Sequence, residues 1–274
     1  MASAEYVVES YADYLKSLGQ KFWKRFQTTR MNAPESALAE AIVFRALQYC
    51  KVEPVVVDTP GVGGPDFHCL QDKPKAFMVE ATSLLPNRVT EKSNIPNRVP
   101  EDMEGGPFGL LTAQIDETTT KKLHQFKSIS VPGLLAIASS HFGSSILLDA
   151  PAAMNALISQ PFWVLGKEGM STDLKYSLFL RGEGADIVVK NSYISAVLLI
   201  AVGANSSYVC GALHPNPKRR FDSAALWEIP FAYLMDWPVE QNRLRTTWTL
   251  GTAPRPLEIP HEAIWQPRSA LRLF

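Results

Sequence analysis

Cysteine is scarce in this chain, with three in 274 residues, and Cys50, Cys69 and Cys210 are too scattered for a disulfide framework or for paired metal-ligand spacing. Excess charge is absent too. Lys plus Arg equals Asp plus Glu at 27 each, so nothing in the balance points to a broad polyanion-coating surface, although a local basic groove is still allowed. No run is long enough for a membrane span, since the longest apolar stretch is Tyr193 to Val202. The N-terminus lacks the basic region, apolar core and cleavage site of a secretory leader, and with reduced cysteines this predicts a cytoplasmic protein. The five histidines are His68, His124, His141, His214 and His261, and no two have metal-ligand spacing. Val55-Val-Val-Asp-Thr-Pro-Gly61 looks like the metal-sensing loop of a GTPase. That fold needs a phosphate-cradling glycine loop ending in Lys-Ser or Lys-Thr, and the chain has none.

What is present is an ordinary globular mixture, 46% hydrophobic and 20% charged. Apolar positions at Val7, Tyr11, Tyr14, Leu18, Phe22 and Phe26 predict one helix over 5–27. It ends in Lys21-Phe-Trp-Lys-Arg25, a mixed basic and aromatic turn of the kind the helix dipole favours. A second helix is expected from Pro34, with Asn32 as its cap and Glu35 at the capping-box position. The β-branched run 52–57 predicts a strand. A hairpin of two strands, 66–70 and 75–83, turns at Gln71-Asp-Lys-Pro74.

From Leu85 to Gly109 the chain is rich in Pro, Asn, Gly and charge, and Pro-Asn-Arg-Val occurs at 86–89 and again at 96–99. Such a stretch reads as a long loop. A helix over 110–127, a buried strand over 133–139, a helix near 152–158 and strands at 187–190, 194–202 and 208–213 follow. The order predicts an α/β fold, a mixed sheet flanked by helices, in a single domain spanning 1–274. Its core would run over 34–217, with an N-terminal helix in 1–33 and a C-terminal extension in 218–274. That extension carries Trp227, Trp237, Trp248 and Trp265, and nothing in it names a role.

Chemistry concentrates in Pro65-Asp66-Phe67 and Val79-Glu80-Ala81-Thr82. Strand side chains alternate faces, so Glu80 and Thr82 share one face and Val79 and Ala81 the other. Across a short hairpin, Asp66 and Glu80 can meet at one spot. Two carboxylates brought together need a cation, and a hard divalent ion prefers oxygen. Glu40 is the one charge in the apolar helical run 37–44, and so needs a partner, a cation or a solvent edge. His68 faces the same side as Asp66 and would sit at the rim.

These elements, an acidic residue on a helix (Glu40), Pro65-Asp66, and Glu80 on the next strand followed by helix and strand, resemble the PD-(D/E)xK nuclease superfamily over residues 34–139. The stretch from Ser195 to His214-Pro-Asn-Pro217 is similar to the tail strands of some members. The resemblance implies a restriction-endonuclease-like core and a metal-dependent phosphodiesterase acting on nucleic acid, with DNA as the first expectation. It implies Mg²⁺, or Mn²⁺, held by Asp66, Glu80 and the Ala81 carbonyl, with Glu40 assisting.

The chain departs from the pattern where the lysine belongs, for Thr82 stands there and cannot supply a positive charge. In some relatives the lysine has moved to the following helix. Here Leu111, Ile115, Thr118, Lys122 and Phe126 fall on one stripe, so Lys122 is the migrated candidate, with Gln125 one turn along. Lys121 and Lys127 fall off that stripe. Arg88, Lys92 and Arg98 of the long loop would close over a substrate backbone. Many such folds pair, so a homodimer or partner proteins of a defence system are the further partners to consider. Thr82 also supports an alternative, a catalytically inactive module that binds nucleic acid or a protein partner. In a third reading the domain has no nuclease kinship and Asp66 caps a turn.

Overall fold

The computed structural model describes the chain except residues 1, 58–63, 94–96, 98–114, 116, 142, 144–147, 159–173, 175–176, 184–185, 239–243, 252–254 and 263–274. Three helices open it: α1 (Ala2–Leu18), α2 (Gln20–Asn32) and α3 (Pro34–Tyr49). The single helix expected over 5–27 is therefore two. Gly19 separates them at φ 133°, a conformation that breaks the α-helical path and that glycine adopts without a Cβ clash. Asn32 is not a cap either. The Ala33 N–H bonds the Thr29 carbonyl, so α2 runs through Asn32, and Ala33 precedes α3 with no side-chain cap. Pro34 then fits the first turn of α3, where its missing N–H costs nothing.

The strands are β1 (Val55–Val56), β2 (Phe67–Cys69), β3 (Phe77–Ser83), β4 (Gly133–Ser139), β5 (Leu180–Glu183), β6 (Asp186–Val189), β7 (Ala196–Val202), β8 (Ser206–Leu213), β9 (Phe231–Leu234), β10 (Thr246–Trp248) and β11 (Leu257–Pro260). The main sheet is mixed, in the order β1-β2-β3-β4-β7-β8-β9-β10, with β11 also on β8. β3, β4 and β7 are parallel neighbours, and β2 and β8 flank them antiparallel. Both β4 and β7 are buried along their whole length. That matches their unbroken apolar sequences, as parallel strands covered on two faces require.

One face of the sheet packs on α1, α2 and α3 through Val79, Leu134, Ala136 and Leu198, with Tyr11, Phe44 and Phe67 in mutual ring contact. The other face carries Leu135, Ile137, Val197 and Leu199 under α5 (Ala150–Ile158) and a helical segment at 117–126. In that segment residues 117–122 are α-helical and Leu123–Phe126 form a 3₁₀ turn. No described helix is long and apolar enough to cross a membrane.

Three more expectations change. The loop expected from residue 85 begins instead with a helix, α4 (Pro86–Ser93), which Pro86 starts; most of 94–109 lies outside the described residues. The strand expected at 187–190 pairs with β5 in a separate hairpin, not in the main sheet. Nor do the described strands of the 218–274 extension stand apart: β9, β10 and β11 join the main sheet. Of these, β9 and β11 share the outer edge of β8, β9 at Gly211 and Ala212 and β11 at Ser206 to Val209, and so cover an edge that would otherwise expose unpaired amides.

Candidate active site

Pro65 positions the site. Phe67 pairs with Val79, so an extended ladder would set Pro65 opposite Ala81. Proline has no N–H to offer the Ala81 carbonyl, and pairing stops there. The Ala81 N–H is taken instead by the Asp66 side chain, whose Oδ2 accepts it at 2.8 Å. The carboxylate of Asp66 thus replaces a strand partner and is fixed beside β3 at the level of Glu80.

On β3, Glu80 and Thr82 are in register with Leu135 and Ile137, while Val79 and Ala81 are in register with Leu134 and Ala136. The alternation places Glu80 on the face beneath the helical segment, where it is 2% exposed. Lys122 descends from that segment, and its Nζ donates to Glu80 Oε1 at 2.6 Å. The apolar stripe predicts a lysine here, and the amine does turn inward. Ile115 and Phe126 on the same stripe are buried, though Thr119 rather than Thr118 is the buried threonine. Leu111 lies outside the described residues. Lys121 points away and pairs with Glu117 at the surface.

Glu40 joins from the opposite layer. Its Oε1 accepts a hydrogen bond from the Tyr11 hydroxyl at 2.7 Å, and the charge of Asp66 raises its pKa. The Arg25 guanidinium reaches to 4.0 Å from Asp66 Oδ1. Glu40, Asp66, Glu80, Lys122 and Gln125 are thus one electrostatic unit. Tyr11 and Arg25 complete it, and neither was expected from the sequence. Arg25 was legible as part of the basic and aromatic run at 21–25, but that run opens α2 rather than ending a helix, so the dipole does not favour its charge, and Arg25 approaches Asp66 instead. Tyr11 looked like one more apolar position on a helical face.

Burial and mutual repulsion govern the protons. Desolvation and then the charge of Asp66 push Glu80 up to about 8, with Lys122 and the Gln125 amide holding it down. Desolvation and Asp66 push Glu40 up to about 7, opposed by the Tyr11 hydrogen bond and by Arg25. Asp66 is raised by desolvation, offset by the Ala81 N–H, by Lys122 and Arg25, and by a hydrogen bond with Glu80. Near neutrality the site holds proton-sharing acids. Three carboxylates face two cations, and one of the cations, Arg25, has a side chain 56% exposed.

No protein-family model, curated protein or solved structure matches this chain. The site itself must carry the functional argument.

Glu80 Oε2, Gln125 Oε1 and His68 Nε2 are buried without a hydrogen bond of ordinary geometry. Buried polar atoms are nearly always satisfied, so such atoms beside like-charged acids indicate room for a ligand with positive charge or donor groups. His68 pairs with Met78 and so shares the face of Glu80, and it is half-buried. Among the described residues no three His, Cys, Asp or Glu side chains are grouped to hold a metal ion by themselves. A two-carboxylate site suits Mg²⁺, which commonly keeps several waters and takes one or two carboxylates plus substrate phosphate. The side chains of Arg88 and Lys92, and all of Arg98, lie outside the described residues.

Proposed function

We propose that the chain is a metal-dependent nuclease that hydrolyses phosphodiester bonds of nucleic acid, DNA first, on a restriction-endonuclease-like core. The observation that supports this most is the Lys122–Glu80 contact at 2.6 Å beside Asp66. The PD-(D/E)xK pattern needs two acids and an amine at one spot, and an amine from the following helix stands in for the lysine that Thr82 replaces. The order of the parallel strands β3, β4 and β7 behind an antiparallel hairpin agrees with that core.

The donor set fits a hard divalent cation. Asp66 and Glu80 would hold it with the Ala81 carbonyl, which Pro65 leaves without a ladder donor, and Glu40 would act through water. When bound, Mg²⁺ or Mn²⁺ supplies Lewis acidity and a lowered pKa for water. Lys122 orients the attacking water and offsets the negative charge that develops on the phosphate. Gln125 fixes the Glu80 carboxylate, and Tyr11 fixes that of Glu40. The raised pKa values of Glu40 and Glu80 make either a proton acceptor near neutral pH.

A catalytically inactive module that binds nucleic acid or a protein is the second reading, and Thr82 favours it. Incubation of supercoiled DNA, linear DNA and RNA with Mg²⁺ or Mn²⁺ separates the two. The nuclease cuts at least one substrate, and Asp66→Asn abolishes cutting. If the intact protein cuts nothing and calorimetry detects no metal binding that Asp66→Asn removes, the second reading stands.

A further inference from the structure

The tract His214-Pro-Asn-Pro-Lys-Arg-Arg220 has no part in the acidic site, yet it is firmly held. His214 donates from Nε2 to the Lys190 carbonyl at 2.8 Å, and its Nδ1 accepts the Asn216 N–H at 3.0 Å. Burial lowers the pKa of this histidine to about 4, so it stays neutral and keeps both bonds near pH 7. The Lys218 N–H bonds the Ser192 carbonyl, and the Ser195 hydroxyl donates to the Arg219 carbonyl. A backbone held in this way carries Lys218, Arg219 and Arg220 in succession.

These cations have no acidic partner among the described residues. Lys218 Nζ rests 4.0 Å over the Tyr193 ring and bonds its hydroxyl, and Arg219 Nη1 is buried without a hydrogen bond. The Tyr193 phenol is lowered by its hydrogen bond to Lys218 and that amine's charge first, and then by the charges of Lys127 and Arg219. The nearby acids are already used: Asp222 pairs with Lys75 and Asp236 with Arg245.

Beside Arg220 run two adjoining cavities of about 380 and 650 Å³, which share Leu213, Arg220, Phe221 and Tyr233, with Asp222 also on the wall of the larger. The smaller is also walled by Met235 and Trp237. Phe221 forms a floor, buried against Phe77 and Phe231, while Tyr233 and Trp237 are half-buried. Half-exposed aromatic rings beside a row of cations are the two components of a single-strand binding groove, with stacking surfaces for bases and a positive track for phosphates. The volumes suit a nucleotide, not a duplex some 20 Å across.

We propose that the groove between the 214–222 tract and β9 binds a single-stranded segment of nucleic acid, its phosphates on Lys218, Arg219 and Arg220 and a base against Tyr233 and Trp237. The choice of ligand rests on the nuclease reading above; the placement does not. The test is anisotropy of labelled dT20 and of a 20-base-pair duplex in EDTA, where nothing can be cut, across a salt series. The intact chain should bind dT20 more tightly than duplex. The double variant K218Q/R220Q, altered at exposed positions, should bind dT20 at least tenfold more weakly. Its salt slope should be smaller by about 1.4, or about 0.7 for each phosphate that is no longer neutralised. Quenching of tryptophan fluorescence by dT20 should fall in Trp237→Leu. Unchanged dT20 binding by the double variant, equal binding of duplex, or no binding of either would overturn the groove while leaving metal-dependent cutting to be judged separately. Loss of dT20 binding in the double variant of a chain that never cuts would sustain the groove and remove the nuclease.

Discussion

The two charged regions of this molecule are built on opposite terms. The acidic site sets three carboxylates from three elements in a desolvated spot, and each has its proton affinity raised. The 214–222 tract sets Lys218 and Arg220 at the surface, where water already stabilises them. A buried charge constrains the fold and titrates near neutral pH; an exposed one costs the fold little and acts at a distance. Substitutions in the acidic site should therefore change both stability and chemistry. Substitutions in the groove should change binding and its salt dependence only.

The largest effect is expected from Lys122→Met. It removes the amine from Glu80 while keeping most of the packed stem, and should lower the cleavage rate by roughly 10²–10³-fold, as the loss of one preorganised charge donor does. Breaking a fully buried pair costs about 3–5 kcal/mol. The loss here should be smaller, because Glu80 can take up a proton and the lysine side chain is 31% exposed. Lys122→Arg keeps the charge and should recover part of the rate. If Lys122→Met cuts at the normal rate, the amine is structural and the difference between the two regions shrinks to burial alone.

Next comes the pH dependence of stability without metal. Glu40 and Glu80 titrate near 4.5 in the unfolded chain, and at about 7 and about 8 in the folded one. Below 4.5 both states carry the protons and the advantage of the folded acids is fully present. Between 4.5 and 8 the unfolded state releases protons that the folded state still holds, so stability falls as pH rises, and above 8 the loss is complete. Thermal melts from pH 5 to pH 8.5 in EDTA should show this decline. Millimolar Mn²⁺ should flatten it, because a bound cation favours the ionised acids. A melting temperature with no such trend in EDTA would mean that these acids are not buried together.

Glu40→Gln should have a moderate effect of opposite sign. The amide can still accept the Tyr11 hydrogen bond, but it removes one of three repelling charges. Stability at pH 8 should rise by on the order of 1 kcal/mol, roughly 2–4 °C in melting temperature, while cutting slows. A variant that is both stabler and slower identifies a residue kept for function at a cost to the fold. A fall in stability would instead make Glu40 a structural acid.

The sheet and the acidic pair were legible where one short-range rule decided them. Residues 133–139 and 196–202 are apolar runs with no competing signal. Asp66 and Glu80 follow from strand alternation across a short hairpin, and Lys122 from a charge on an apolar stripe. What was not legible depended on contacts between distant segments. The strands β9, β10 and β11 are three or four residues long, and nothing local distinguishes them from loop; β9 and β11 form on the outer edge of β8, and β10 on β9. The break at Gly19 was hidden because the apolar period continues through it. Tyr11 and Arg25 meet the carboxylates only because α1 and α2 fold back on α3, a packing that no local pattern in the sequence encodes.

Arg25 gives the smallest effect and the finest comparison, since it is an exposed cation acting on a buried acid. Its guanidinium lies 4.0 Å from Asp66 Oδ1, beyond a good hydrogen bond, with the side chain 56% exposed. Surface pairs of this kind contribute about 0–1 kcal/mol, so Arg25→Gln should leave the melting temperature nearly unchanged. It still lowers the proton affinity of both Glu40 and Asp66. Removing it should move the acidic limb of the pH–rate profile upward by a few tenths of a unit, an effect that added salt mimics in the intact chain by screening. A shift in the limb with no change in dT20 affinity would assign Arg25 to the acidic site. Weaker dT20 binding with an unmoved limb would assign it, with Lys218 and Arg220, to the surface that carries the strand.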